Sequence, residues 1–308
     1  MENLLIMLSI VLPCYYEEEN IVFIYQEILK AVGKGTDMEL IFVDDGSGDG
    51  TFEEIRKLSA SHPHVRGIRF SRNFGHQVAL LAGLKEAKGD LVITMDADGQ
   101  HPASIIPELL AKQKEGFEIV NTRRTDQRKT RPFKKSSSRY FYRFLNQLSE
   151  VRIEPAAADF RLMTRKALDA FLEIDEHDRF TRGLIGWMGF KQAVIPYTAA
   201  ERHAGNTKYT FRKMRRFAFD GITSFSSRPL RMSMYMGSVV IVFAILYSIY
   251  ALVVHFTGNT NPGWTSLLIT ILLLGGIQLF TIGIIGEYIA RIFNEVKGRP
   301  HYFISERT

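Results

Sequence analysis

A single cysteine, Cys14, stands among 308 residues. No intrachain disulfide is therefore possible, which fits a reducing compartment. No stretch repeats at a fixed period and no segment is of low complexity, so repeat arrays and long biased arms are excluded. The opening run MENLLIMLSIVLP lacks a basic start and a small-residue cleavage site, and it leads straight into Cys14-Tyr15-Tyr16-Glu17. It reads as a first strand rather than a signal peptide. Lysine and arginine are missing from two long apolar runs, 232–256 and 266–289. Each exceeds the roughly 20 helical residues that cross a bilayer core. Buried core helices of that length would keep a polar face.

Positive charge is concentrated elsewhere. The net charge is +6, and residues 123–139 hold eight Lys or Arg against one acid, Asp126. Residues 208–216 hold five more and no acid. Both clusters precede the first apolar run. An anionic membrane face or a phosphate-bearing lipid explains them better than nucleic acid, for which no recognisable binding motif is present. Arg228 and Arg231 precede the first run, Arg291, Lys297 and Arg299 follow the second, and the linker 255–264 carries neither Lys nor Arg. Both termini are thus expected in the cytoplasm, with the linker outside and Trp264 at the outer interface.

Before the basic cluster, apolar runs alternate with helical periodicity. The spacing predicts strands over 5–13, 39–43, 65–70, 90–95 and 117–121, and helices over 21–32, 51–61, 77–87 and 102–115. Such alternation implies a mainly parallel sheet with helices on both faces, and ligands beyond the carboxyl ends of its strands. Three of those ends carry polar clusters, at 13–17, 44–47 and 96–100. The last belongs to LVITMDADGQHP at 91–102, where a buried strand runs into Asp96 and Asp98. Two carboxylates one residue apart suit a hard divalent cation that also holds substrate phosphates. After Arg139 the pattern loosens. It predicts a helix over 140–148, a loop feeding a short strand over 156–164, a helix over 165–171, a strand over 190–197 and a polar loop over 201–209. A membrane-surface segment is expected over 214–225.

PCYYEEEN at 13–20, VDDGSGDGT at 43–51, SRNFGHQVA at 71–79, DADGQHP at 96–102, ADFRLM at 158–163 and AGNTKYT at 204–210 carry a resemblance that covers nearly the whole chain. It resembles family 2 glycosyltransferases, within them the GtrB-like bacterial polyprenyl-phosphate glycosyltransferases related to dolichol-phosphate mannose synthase. The resemblance implies an α/β GT-A fold, Rossmann-like with a mainly parallel sheet, over 1–225, with interfacial helices near 211–225. A membrane domain over 226–308 would follow, with two transmembrane helices and a short cytoplasmic tail. It implies transfer, with inversion, of one sugar from a nucleotide-sugar donor to undecaprenyl phosphate at the bacterial inner membrane, using Mg²⁺ or Mn²⁺. The donor is expected to be UDP-linked, glucose or N-acetylglucosamine in type, with GDP-mannose as the alternative. A homo-oligomer, up to a tetramer, is also implied. The Q-x-x-R-W motif of processive relatives is absent, which favours a single transfer.

By the same resemblance Pro13, Tyr15, Glu17, Asp44, Asp45 and Asp96 would hold the nucleotide sugar, and Asp96, Asp98 and Gln100 the metal. Asp98, Asp159 and Arg123 would form the catalytic set. A phosphate monoester has a second pKa of about 6, so the acceptor needs positioning more than deprotonation. Arg123 and Arg124 suit that task, with Lys134, Lys135 and Arg139 as further candidates. A solvated membrane-surface charge is the other reading of each. Asp159 matches a position assigned a base role in relatives; orientation of an acceptor-binding arginine such as Arg161 is the equal alternative. His76 and His101 have no second histidine at metal spacing, so capping or packing is expected of them. Lys208 and Tyr209 would order a loop over the donor. Gln278 and Glu287 lie in or near the second span, where polar groups pair helices or serve function. A non-catalytic scaffold would show damaged metal or phosphate residues, and none is seen.

Overall fold

The computed structural model describes residues 6–33, 35–125, 157–177, 179, 181–198, 228–257 and 263–308. The segments expected over 140–148, 201–209 and 214–225, with Lys134, Lys135, Arg139, Lys208 and Tyr209, lie outside the described residues.

Apolar runs become β1 (Leu8–Cys14), β2 (Met38–Asp44), β3 (Val65–Phe70) and β4 (Leu91–Thr94). Between them lie α1 (Ile21–Val32), α2 (Thr51–Ser61) and α3 (His76–Glu86). These strands are parallel, in the order β3-β2-β1-β4. The chain therefore winds outward from β1 through β2 to β3, then returns to the other side of β1 for β4. That reversal opens a crevice at the carboxyl ends of β1 and β4, the place where α/β sheets bind ligands. The β1–β4 register stops at Val11 and Thr94. Pro13, which has no N–H to give to a ladder, lies beyond that stop.

A turn of 3₁₀ helix at Ala103–Ile105 leads into α4 (Ile106–Lys114) and then β5 (Ile119–Arg124). The sheet is completed by β6 (Ala157–Thr164), β7 (Gln192–Tyr197) and β8 (Ile304–Arg307), in the order β7-β5-β6-β4-β1-β2-β3-β8. β6 and β8 run against the other six. Alternating side chains of the sheet feed two cores. One lies under α1, α2 and α4; the other lies under α3, α5 (Arg165–Glu173) and α6 (Thr181–Trp187).

Two expectations are corrected here. Residues 156–164 are not a loop feeding a short strand, because β6 holds eight residues in the middle of the sheet. Its polar residues, Asp159 and Arg161, disguise it in sequence and neutralise each other in the fold at 3.0 Å. Nor do the last residues form a cytoplasmic tail of the membrane part. β8 pairs antiparallel with β3, and Gly67 and Thr308 are joined by two hydrogen bonds of 2.8 and 3.0 Å. Tyr302 stacks on Phe70 with ring centroids 4.8 Å apart. The boundary at 225/226 therefore leaves a strand of the main sheet on the wrong side.

The two apolar runs lie within α7 (Arg228–Phe256) and α8 (Trp264–Lys297). Most of their described apolar side chains, among them Ile241, Phe243, Leu279 and Phe280, are exposed. Among the described residues one stretch, Leu273–Lys297, is long and apolar enough to cross a membrane; Gly237–Tyr250 is apolar but shorter.

α3 sits unusually close to the sheet at Gly83. A Cβ there would lie 2.3 Å from Val11 Cγ1 and 3.1 Å from Val43 Cγ2. Both valines are fully buried and have nowhere to go. Gly83→Ala should therefore destabilise the fold by about 1–3 kcal/mol. Thermal unfolding in detergent checks this, and an unchanged midpoint would contradict the packing described.

Candidate active site

The site is built from the loops that follow β1, β2 and β4, from the end of β5 and from the start of β6, all on one edge of the sheet. The first two loops are fastened together by side chains. Tyr16 N–H donates to Ser47 Oγ (3.0 Å) and Glu17 N–H to Thr51 Oγ1 (3.0 Å). Gly50 N–H donates to the Glu18 carboxylate (2.9 Å). Tyr16 is held at φ +58°, a conformation that is uncommon for a bulky residue. Tyr15 packs edge-on against it, ring centroids 4.7 Å apart. Gly46, at φ +69°, turns so close to the backbone of Arg72 that a Cβ would meet it at 2.5 Å.

The two aspartates at the end of β2 have different tasks. Asp44 is fully buried; its Oδ1 accepts from Ser47 N–H (3.0 Å), and Arg69 Nε lies 3.4 Å from Oδ2. Burial pushes its carboxyl up, against the Ser47 amide and Arg69. Asp45 is buried too and accepts from the N–H groups of Phe74 and Gly75, at 2.6 and 2.9 Å. It thereby satisfies the N–H of Gly75, the residue at the N-cap of α3, and that of Phe74 before it. α3 then begins with His76 and Gln77, which point back into the site.

The Asp96–Gln100 turn rests on an aromatic base. Asp96 N–H donates to His101 Nδ1 (2.9 Å), and His101 stacks on Phe160 of β6 with centroids 5.2 Å apart. Tyr197 of β7 closes edge-on against both rings. His101 thus packs and fixes the turn. Asp98 is 8% exposed and accepts from Gln100 N–H (3.0 Å). Gln100 Oε1 accepts in turn from Arg124 Nη1 (2.9 Å), which brings the end of β5 to the turn. Arg123 beside it is exposed. Asp96 Oδ1 is buried without a hydrogen-bond donor, and His76 Nε2 lies 3.4 Å away. Two carboxylates and an amide oxygen are hard donors of the kind Mg²⁺ and Mn²⁺ take. Among the described residues no three His, Cys, Asp or Glu side chains form a metal cage of their own.

Asp159 gathers the other half of the site. Its Oδ1 accepts from Arg161 Nη2 (3.0 Å) and Arg182 Nε (3.2 Å), and its Oδ2 from Arg182 Nη2 (3.1 Å) and Gln77 Nε2 (3.0 Å). His76 Nε2 is 3.7 Å from Oδ2. Burial works to raise the Asp159 carboxyl, but Arg182, His76 and Arg161 hold it well below the usual carboxylate range. Burial lowers Arg161 to about 10, which leaves it charged at neutral pH. His76 is pushed up to about 9: burial opposes its charge, and Asp96 and Asp159 prevail.

Pro13, Tyr15, Glu17, Asp44, Asp96, Asp98, Gln100, Arg123, Arg124, Asp159 and Arg161 thus share one edge. Lys135 and Arg139 lie outside the described residues. Sequence reasoning missed Gln77 and Arg182. The only signal for Arg182 is a charge inside a short helix whose Thr181, Gly183, Leu184 and Ile185 are buried, since such a charge requires an acid nearby.

Residues 9–172, more than half of the chain, match glycosyl transferase family 2. The chain belongs to that family. Residues 228–292 match the GtrB C-terminal hairpin. An uncharacterized glycosyltransferase of Bacillus subtilis, YkcC, is 42% identical over 97% of this chain and 93% of that protein. The SfII prophage-derived bactoprenol glucosyl transferase of Shigella flexneri is 39% identical, covering 97% of each chain. Among solved structures, a mannosyltransferase of Pyrobaculum calidifontis in complex with GDP-Man and Mn²⁺ superposes with a TM-score of 0.50 at 17% identity. It covers 94% of this chain and 85% of that one, a likeness of fold. The sheet, the crevice and the acidic turn therefore belong to a glycosyltransferase with the α/β, mainly parallel GT-A-like fold.

In this glycosyltransferase Asp159→Asn strips the counter-charge from a buried guanidinium, which costs about 3–5 kcal/mol. The variant should unfold at clearly lower temperature. A folded-state pKa held below the unfolded value of about 3.9 means that the stabilisation is complete above that pH and drains away as pH falls toward the folded value. Acid unfolding followed by circular dichroism should show wild type losing this increment and the variant lacking it throughout. A variant of wild-type stability without activity would mark Asp159 as a base instead.

Proposed function

We propose that this glycosyltransferase moves one sugar from a nucleotide-sugar donor to undecaprenyl phosphate at the cytoplasmic face of a bacterial inner membrane, for cell-envelope glycosylation. The observation that carries the reading is the oxygen set of Asp96, Asp98 and Gln100 at the mouth of the β1–β4 crevice, tied to the cationic end of β5 through Gln100 and Arg124. The bactoprenol glucosyl transferase among its relatives favours a glucose-type donor and a polyprenyl acceptor.

Pro13, Tyr15, Glu17 and the Asp44 loop line the nucleotide. Asp45 serves through the start of α3, which it holds. The donor diphosphate lies across Asp96, Asp98 and Gln100. Mg²⁺ or Mn²⁺ bound there would neutralise the charge that gathers on the leaving diphosphate. Arg123 and Arg124, with Lys135 and Arg139 from outside the described residues, hold the acceptor phosphate. One of its oxygens forms a bond to the anomeric carbon as the bond to the diphosphate breaks, which inverts that centre. Asp159 is too acidic for a general base near neutral pH. Its two arginines, His76 and Gln77 make it an orienting group. Arg161 is spent on Asp159 inside β6 and reaches the acceptor only through that contact.

α7 and α8 are read as two membrane spans. The hairpin enters after β7 and leaves into β8, so both of its ends belong to one sheet. An even number of crossings satisfies that constraint, with both termini on the catalytic side. Their exposed apolar flanks offer a surface for copies of the same chain.

The deciding experiment offers radiolabelled UDP-glucose, UDP-N-acetylglucosamine and GDP-mannose to the purified protein with undecaprenyl phosphate in detergent. Label should enter the lipid phase from one UDP-linked donor, with Mg²⁺ or Mn²⁺, and vanish in EDTA. Asp98→Asn should be folded, membrane-inserted and at least about 100-fold slower. Label that persists in EDTA overturns the metal assignment. Label from GDP-mannose alone makes the reaction a mannose transfer, and none from any donor favours a scaffold.

A further inference from the structure

β8 is the last strand in the chain, yet one of its side chains reaches toward the first loops of the site. Glu306 is the register partner of Arg69 on β3. Its carboxylate meets Arg69 Nη1 at 3.4 Å through Oε1 and Arg56 Nη2 at 2.5 Å through Oε2. Both guanidinium groups lie over the ring of Phe52, 5.4 and 5.5 Å from its centroid. Arg69 faces the other way as well. Its Nη2 donates to the carbonyl of Ser47 at 3.0 Å, and its Nε lies 3.4 Å from the buried carboxylate of Asp44. One guanidinium therefore spans the gap between a strand that follows the membrane hairpin and the loop that follows β2.

That loop is also held to the β1 loop, through Ser47 Oγ and from Asp45 N–H to the Cys14 carbonyl, to the residues before α3 through the Asp45 carboxylate, and to the Arg72 backbone at Gly46; Arg69 is the contact that reaches it from the β3–β8 side. An arginine has many rotamers, and one held at both ends loses most of them before any ligand binds. Glu306 supplies one of those ends; Ser47 and Asp44 supply the other. From these contacts we infer that Glu306 is a positioning residue for the nucleotide half of the donor site, acting through Arg69 on the Asp44–Ser47 loop. The inference rests on the proposed donor reading of that loop. Its consequence is that donor affinity depends on the segment after the second long helix, although no residue of that segment lines the crevice.

The test is a double-mutant cycle on nucleotide binding by the full-length protein in detergent. Kd values for uridine diphosphate and guanosine diphosphate, with Mn²⁺ present, are measured by calorimetry for wild type, Glu306→Gln, Arg69→Gln and the double variant. An exposed to half-buried ion pair is worth up to about 1 kcal/mol, so Glu306→Gln should weaken binding about two- to fivefold. In the Arg69→Gln background the same change should have no effect, because the relay is already cut. In transfer assays Glu306→Gln should raise KM for the donor and leave kcat nearly constant, and Glu306→Asp should restore part of the affinity. Arg56→Gln, which removes the other partner of Glu306 and touches no loop of the site, should leave nucleotide affinity unchanged. Equal losses in both backgrounds, an equal loss in Arg56→Gln, or no loss in Glu306→Gln would overturn the inference. Wild-type protein that binds neither nucleotide overturns the donor reading itself, and the inference with it.

Discussion

A buried carboxylate, Asp159, is what the catalytic edge depends on. It sits on β6, where burial opposes its charge, and the three cations around it hold its carboxyl well below the usual carboxylate range. Those partners come from separate parts of the chain: Arg161 from the same strand, His76 and Gln77 from the start of α3, and Arg182 from α6. Arg161 could not stay buried in the sheet unaccompanied, since a lone buried ion costs several kcal/mol. The cluster fixes α3 and α6 on the sheet beside the crevice. It also ties the antiparallel strand β6 to the parallel part of the sheet, where Thr94 donates to the Asp159 carbonyl. Structure and site are therefore one network. The same contacts that neutralise Arg161 also set where His76 stands against Asp96.

Acidic residues on this edge divide by where they spend their oxygens. Asp44 and Asp45 turn inward, to a loop amide and an arginine in the first case and to the start of α3 in the second. Asp159 turns inward to its cations. Asp96 and Asp98 stand at the crevice, on a turn supported from below by His101, Phe160 and Tyr197. An acidic edge built entirely of outward carboxylates would repel the donor diphosphate; three inward ones shape the loops without adding that repulsion. Arg123, Arg124 and Arg182 then bring the local charge toward balance.

This division was only partly legible in the sequence. The parallel strands were, because buried strands are written as apolar runs and the alternation with helical periodicity admits few topologies. The gathering of 13–17, 44–47 and 96–100 on one edge followed directly from that alternation. β6 was not, because Asp159 and Arg161 break its apolar pattern and make sense only as a pair that meets α3 and α6. β8 was not either. A four-residue strand, ISER, has no periodicity to detect, and its partner β3 lies more than 230 residues earlier. Asp45 looked like its neighbour Asp44; only the position of Gly75 at the start of α3 distinguishes their tasks.

β8 also changes what the hairpin is. Two apolar helices followed by a free tail would anchor the catalytic part by one connection, and the crevice could swing at any angle to the bilayer. With β8 paired to β3, the hairpin is attached at both ends to one rigid sheet. Tyr302 against Phe70, Arg307 with Glu86, and Glu306 with Arg56 and Arg69 hold the second attachment. The second attachment places the end of α8 beside β3 instead of leaving it free. The attachment point is the strand whose Arg69 supports the donor loop. The contacts that return the hairpin to the sheet and those that hold the Asp44–Ser47 loop thus share β3.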